Sequence, residues 1–553
     1  MSANSYVYEK SNESDVQSFE FNGKKFSAIS DTNGNSYTNQ VTFSLKGGQD
    51  YLNFKESYFT IPLVLSLVYT PGTGETPSTG GFNQTDTSNI WAASLKNSIA
   101  QVIDGISVNI GGNQVQPYVR MQNLVMSYKI LSEWSQNDVA TMGPSILLGK
   151  DTSDTSSLAA YYGVKNNVVK STAFTPVAGL VPFASAANVG RNERMKYINS
   201  NGTDSSSFTT DTILNTVYKN RIADRTLLNI TYHILATVPC RLFPCLEAIP
   251  LIKNANIDIT LYCHTNGSVI VRPLLTAGAA AVGLATYASS VWNTQFCPLM
   301  LSSPSSTDGS TGLYLTQTAA ISTGNTSTIT ARLDICKCPN KIGNVPTDHP
   351  QTQCRLICSL VSLDSELELQ YISNPIKNVN FMDNYYYEYK AVAALSGSVN
   401  QNLGQNISCL RQLVIIPFVS QGTGGQGTSI HSELLSPWSS AGGSCAPMAF
   451  VNNLQVTVGT TQIFSQMYQY RYEDFLQQVR QSGSLNGGLM KGLSSGLISE
   501  YDYNNNYPVI VVDLSCHNAS LDKIPNQITV AFNNLSPLIM DYSMFSIYEK
   551  SIQ

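Results

Sequence analysis

Gly492 to Gly496 reads GLSSG, the G-x-S-x-G spacing that in hydrolases lifts a serine nucleophile, here Ser494, out of a sharp strand-to-helix turn. That turn needs a strand before the first glycine and a helix after the second. The surrounding NGGLMKGLSSGLIS reads as a Gly/Ser-rich loop, and Asp513 and His517 downstream are accounted for as strand-end residues of VIVVDLSCH. GPSILLGKD (143–151) imitates a phosphate loop, but it holds five residues between its glycines and has Asp151 where a magnesium-binding Ser or Thr belongs. GTGGQGTS (422–429) has the glycines and no lysine, the composition of a strand connection.

The thiols offer a different chemistry. Cys336 and Cys338 in CKC, His349, and Cys354 and Cys358 in CRLIC form the best metal candidate of the chain. Even spacing along a strand puts both members of each pair on one face, and soft thiolates suit zinc. Against zinc, C-x-C and C-x3-C are not the C-x2-C knuckles of common sites. The competing readings are a disulfide and free thiols packed as small apolar groups. Eleven cysteines in 553 residues are sparse and odd in number, and the start MSANSYVYEKSNESD has no apolar leader, so free thiols in an unsecreted chain are expected. Cys240 and Cys245 in CRLFPC are read the same way. No cofactor is expected.

Glu366 and Glu368 in SELELQY alternate with Leu367 and Leu369, which predicts ordinary charge on the exposed face of a strand. With five His scattered over the chain and no convergent acid/base cluster, no catalytic residue is expected. Basic residues gather in RNERMK (Arg191, Arg194, Lys196) and YKNRIADR (Lys219, Arg221, Arg225). They could face a nucleic acid or pair with neighbouring acids. The net charge of −5 excludes a strongly basic nucleic-acid-binding protein.

The elements that must position these residues are strands. Charged residues are 12% of the chain, about half the usual share, while 29 Tyr, 38 Gly and 23 Pro accompany abundant Ser, Thr and Asn. These residues belong to pleated strands and the turns between them, so the fold class is all-β. YTNQVTFSL (37–45) turns Val41, Phe43 and Leu45 to one face, and YFTIPLVLSLVY (58–69) is the continuous apolar run of a doubly buried strand. IDGISVNIGGNQV (103–115) is a hairpin turning at Gly111-Gly112. In YVRMQNLVMSYKIL (118–131), Tyr118, Met121, Val125 and Tyr128 fall at helical spacing.

This order recurs. CLRQLVIIPFV (409–419) resembles the buried run, VNNLQVTVGTTQI (451–463) repeats the hairpin with Val108, Gly111 and Gln114 matched by Val456, Gly459 and Gln462, and YQYRYEDFLQQV (468–479) supplies a second helix. NQITVAF (526–532) echoes NIDITLY (256–262). Four echoes in one order predict two homologous β-units. The first is enlarged by an excursion at about 135–215, and a second excursion at about 265–350 is expected between the copies.

The opening GKKFSAISDTNGNSYTNQVTFSL and YLNFKESYFTIPLVL, the segment VPCRLFPCLEAIPLIKNANIDITLYCH, the entry CRLICSLVSLDSELELQYISNPIKNVNFMDNYYYEYK and the close FNNLSPLIMDYSMFSIYEK resemble the double jelly-roll major capsid proteins of tailless icosahedral DNA viruses. Within that lineage they look most like virophage and polinton-like virus capsid proteins. The resemblance spans most of residues 24–550 and departs at the large first insertion and the Cys-rich segment 336–358. It implies two tandem eight-stranded antiparallel jelly rolls with short helices in the loops. The expected division is a flexible arm at 1–23, a first jelly roll at 24–265, a connector at 266–350 and a second jelly roll at 351–553. The resemblance further implies a homotrimeric capsomer that tiles an icosahedral virion shell around a DNA genome and is assembled inside the host cell. Its implied partners are neighbouring capsomers, penton and minor capsid proteins, with nonspecific contact to the packaged genome and no small-molecule substrate. A two-sandwich carbohydrate-binding or carbohydrate-active protein is the competing reading, because Tyr- and Asn-rich β-proteins with Gly loops suit glycans.

Overall fold

A computed structural model describes most of residues 21–70, 90–150, 221–335 and 353–552; the largest stretches outside it are 1–20, 71–89, 151–220, 420–448 and 483–495. Sixteen strands build two sandwiches. The first unit contains β1 (Phe21–Ser30), β2 (Gln40–Leu45), β3 (Tyr51–Thr70), β4 (Ile103–Ile110), β5 (Asn113–Gln116), β6 (Asn229–Pro239), β7 (Ile257–Cys263) and β8 (Arg355–Leu363). The second contains β9 (Val379–Val392), β10 (Gly397–Asn402), β11 (Leu410–Val419), β12 (Val451–Val458), β13 (Thr461–Gln462), β14 (Ile510–Asp513), β15 (Ile528–Asn534) and β16 (Met540–Ile552).

Sheet order in the first unit is β1-β8-β3-β6 and β2-β7-β4-β5. In the second it is β9-β16-β11-β14 and β10-β15-β12-β13. Adding eight to each strand of the first pair of sheets reproduces the second pair, and each is the antiparallel jelly-roll order. Alternation drives the packing. Val41, Phe43 and Leu45 of β2, Ile257, Ile259 and Leu261 of β7, and Ile528, Val530 and Phe532 of β15 are buried while their neighbours along the strand are more exposed. The repeated hairpins turn at Gly111 (φ +59°) and Gly459 (φ +60°), backbone positions that an L side chain rarely adopts.

Each β3-type strand carries a proline in its interior, and the pairing explains how the sheet tolerates it. On one side of β3, the ladder with β8 ends at Thr60 and the ladder with Thr328–Ile335 begins at Leu63. Pro62, which has no N–H to offer, stands in the gap. Likewise Pro417 of β11 lies beyond Ile415, the last residue paired to β14.

The pairing revises the expected division of the chain. Arg355–Leu363 bonds to both β1 and β3, so it closes the first sandwich, and the boundary expected at 351 moves past it to the helix α2 at Ser365–Ser373. The stretch 266–350 therefore lies between β7 and β8 of the first unit, not between the units. It contributes strands Gly267–Leu274, Thr286–Trp292 and Thr328–Ile335, which widen the first sheet beside the outer half of β3. The first strand starts at Phe21, inside the segment expected as arm.

Antiparallel alternation also sorts the connections. Residues 31–39, 71–102, 117–228 and 264–354 leave from and return to one end of the first sandwich, and 393–396, 420–450, 463–509 and 535–539 do so in the second. The opposite end carries the turns 46–50, 111–112, 403–409 and 459–460 and the longer connections 240–256 and 514–527, and there β1 begins opposite Leu363 and β16 ends opposite Val379. Among the described residues no helix is long and apolar enough to cross a membrane.

Candidate functional site

The second-unit sandwich meets the first along a seam in which buried polar groups are paired across the two units. After β5 the chain turns and enters the helix α1 (Gln122–Glu133), as the periodicity of 118–131 predicts, and this helix projects side chains toward the second unit. Gln122 Nε2 donates to Asn384 Oδ1 at 2.7 Å, and Gln412 Nε2 donates to the Tyr128 hydroxyl at 2.9 Å. Gln116, at the end of β5, donates to Asp383 Oδ1 at 3.0 Å. The other carboxylate oxygen of Asp383 accepts from the Tyr548 hydroxyl at 3.1 Å and lies 3.5 Å from Lys550 Nζ, which also donates to the carbonyl of Val115 at 3.1 Å. Further along, Lys150 Nζ bonds Asp502 at 2.6 Å and the Leu497 carbonyl at 2.7 Å, and the Leu497 amide donates to the Leu131 carbonyl. Apolar residues of both units belong to one continuous core.

A carboxylate sets the entry to α1. Asp104 on β4 accepts from the Met121 amide at 3.0 Å and from the Tyr118 hydroxyl, with His264 Nε2 at 3.3 Å. Met121 sits at φ +63°, so the turn needs an external anchor. Burial alone would raise the Asp104 pKa, but the hydrogen bonds and charge of His264, with Tyr118 and the Met121 amide, hold it down at about 2. The second unit has its own helix after the hairpin, α3 (Tyr472–Ser482). Just before it, the Tyr470 hydroxyl donates to the Val511 carbonyl at 2.6 Å and accepts from the Val511 amide at 3.0 Å, which satisfies the outer edge of β14.

Only some of the residues singled out by sequence are described. Ser494, Ser495, His517, Cys336, Cys338, His349, Arg191, Arg194, Lys196 and Lys219 lie outside the described residues, as does Gly492. Gly496 is described: at φ +66°, a Cβ there would come within 2.4 Å of the Leu131 and Ser132 carbonyls, so it serves close approach of the two units. Asp513 accepts from the Ser515 amide and hydroxyl. Lys150 of the phosphate-loop imitation is the seam lysine described above. Arg221 and Arg225 lie on a strand paired to β6.

Cys354 and Cys358 are fully buried free thiols just before and within β8. Burial pushes Cys358 up to about 12 and Cys354 higher still, so both thiols stay protonated at neutral pH. Cys240 and Cys245 are buried free thiols as well. Among the described residues no three His, Cys, Asp or Glu side chains gather as metal ligands.

Glu366 and Glu368 stand on a helix, not a strand. Asp364 accepts from the Glu366 amide at 3.2 Å, and acids in the first turn suit the positive end of the helix. The D-S-E-L-E order at 364–368 carried that signal. Glu368 pairs with Lys253 at 2.6 Å and accepts from the Tyr51 hydroxyl at 3.3 Å. The seam residues Gln116, Gln122, Asp383 and Gln412 have no sequence motif, because amides and one acid on strands or at a helix start read as surface until a partner is known.

No family model matches the chain, and no curated protein matches it. Comparison with solved structures finds the Sputnik virophage structure determined by cryo-EM at 11% identity, covering 96% of this chain and 86% of that one with a TM-score of 0.49. It also finds the Faustovirus major capsid protein (8% identity, 96% and 90% covered, TM-score 0.42) and the mavirus major capsid protein (9%, 94% and 86%, 0.36). The matching strand orders of the two units settle the architecture by themselves: the chain has the double jelly-roll fold, the fold of the capsid proteins its sequence resembles.

Proposed function

We propose that the chain is the major capsid subunit of an icosahedral virus, a structural protein without catalysis that forms homotrimers and acts within the virion shell. The observation that carries this reading is the pair of identically ordered jelly rolls joined along a hydrogen-bonded seam in one chain. Two sandwiches side by side in each of three chains give a capsomer of six-sided outline, which tiles a closed surface by contact with neighbouring capsomers. The division of ends supports the same role. The longest connections leave from one end and the first and last described strand residues, Phe21 and Ile552, lie at the other, so one face of a capsomer is free to vary while the opposite face is left for contacts within the shell. Penton and minor proteins, and nonspecific contact between the Arg/Lys clusters and the packaged DNA, belong to this proposal, as does assembly inside the host cell.

Light scattering on the purified chain tests it. A species close to 180 kDa, three times the 60.1 kDa chain, is expected. A monomer at all concentrations contradicts it.

A further inference from the structure

We infer that the loop end of the second sandwich holds a binding site for a neutral oligosaccharide. A cavity of about 820 Å³ opens there, within the size range of small-ligand sites. It lies among the β9–β10 turn, the ends of β11 and β12, the start of α3 and the helix Glu500–Asn505.

Its lining combines two features that a sugar needs together. Aromatic rings are presented: Phe450 is 42% exposed, and Tyr472, half-buried, stands beside Tyr503 with ring centroids 5.6 Å apart. A second apolar side chain, Leu395, is 47% exposed on the same rim, so the cavity mouth carries an apolar patch rather than a single exposed ring. A pyranose ring offers a face of C–H groups that covers such a surface. Planar polar groups are also presented. Glu473, Glu500 and Asn504 make no hydrogen bond or ion pair among the described residues, so their oxygens and the Asn504 amide are available to a belt of sugar hydroxyls.

Charge narrows the class. Two carboxylates face one guanidinium, Arg471, whose Nη2 already donates to Gln469 Oε1 at 3.2 Å. The rim is net acidic and repels sialylated or sulfated chains. The site stands apart from the shell reading, since trimers form whether or not a sugar binds.

The test is titration of the full chain with chitotriose, maltotriose and 3′-sialyllactose, followed by calorimetry and saturation-transfer NMR. At least one neutral trisaccharide is expected to bind, 3′-sialyllactose is not, and Phe450→Ala and Asn504→Ala should each weaken binding about tenfold or more. Both positions are exposed, so the variants should keep the wild-type melting temperature; Glu500→Gln, which preserves shape, serves as the third variant. Leu369→Ala, at the opposite end of the molecule, should leave binding unchanged. The inference is overturned if neither neutral sugar binds, if 3′-sialyllactose is preferred, if the cavity variants bind as the wild type does, or if a second copy of the chain covers the cavity in the trimer.

Discussion

Asp104 shows how one side chain governs a turn on which the seam depends. Its folded pKa of about 2 lies below the unfolded value near 3.9, so its stabilisation, about 2 kcal/mol, is fully present above roughly pH 4 and is lost as the pH falls toward 2. Asp104→Asn should remove that acid dependence, read as a flatter stability curve between pH 4 and 2 in denaturant titrations. Asp383 is the corresponding residue within the seam, only 4% exposed and held by Gln116, Tyr548 and Lys550. Asp383→Ala leaves Lys550 without its carboxylate and should cost about 3 kcal/mol, visible as a lowered denaturant midpoint. Cys358→Ser should cost roughly 1 to 2 kcal/mol, and a thiol reagent should label Cys354 and Cys358 only upon unfolding. Rapid labelling of both in the native protein would contradict their burial. None of these pairings was legible in the sequence, because a lone Asp or Gln on a strand carries no mark of its partner.

Elements were far more legible than their partners. Period-two burial in β2 and the doubly apolar run of β3 follow from residue type alone, and the repeated hairpin followed by a helix is present in both units as strand, glycine turn, strand and helix. At two elements the structure differs from the expectation. RLICSLVSL at 355–363 follows a long polar stretch and looks like the first strand of a new unit, yet its ladders run to β1 and β3, more than 280 residues earlier. Pairing across that separation leaves no periodic trace. The second was α2, where strict alternation of Glu and Leu outweighed the Asp364 cap. Gly496 illustrates the same limit: in a segment that reads as a Gly/Ser-rich loop, nothing marks it as a point of backbone contact with α1. Gly496→Ala should destabilise the protein by at least about 2 kcal/mol, from the left-handed backbone together with the clash against Leu131 and Ser132. A variant as stable as the wild type would mean that the two units do not approach there.

At the scale of the whole molecule, the seam makes two jelly rolls act as one body. The core is continuous across both units, and the polar pairs around it fix their register, so unfolding should be a single transition in calorimetry. The same rigid pairing is what a shell tile requires, since six sandwiches in a trimer can present a constant outline only if the two within each chain do not shift. Electron cryomicroscopy of particles formed by the expressed chain tests this account most directly. The account predicts capsomers with threefold symmetry, each resolving six sandwiches in hexagonal outline, two per chain, with Phe21 and Ile552 at the same end. Particles built from capsomers with one sandwich per chain at each corner, or the two units of a chain separated into different capsomers, would contradict it.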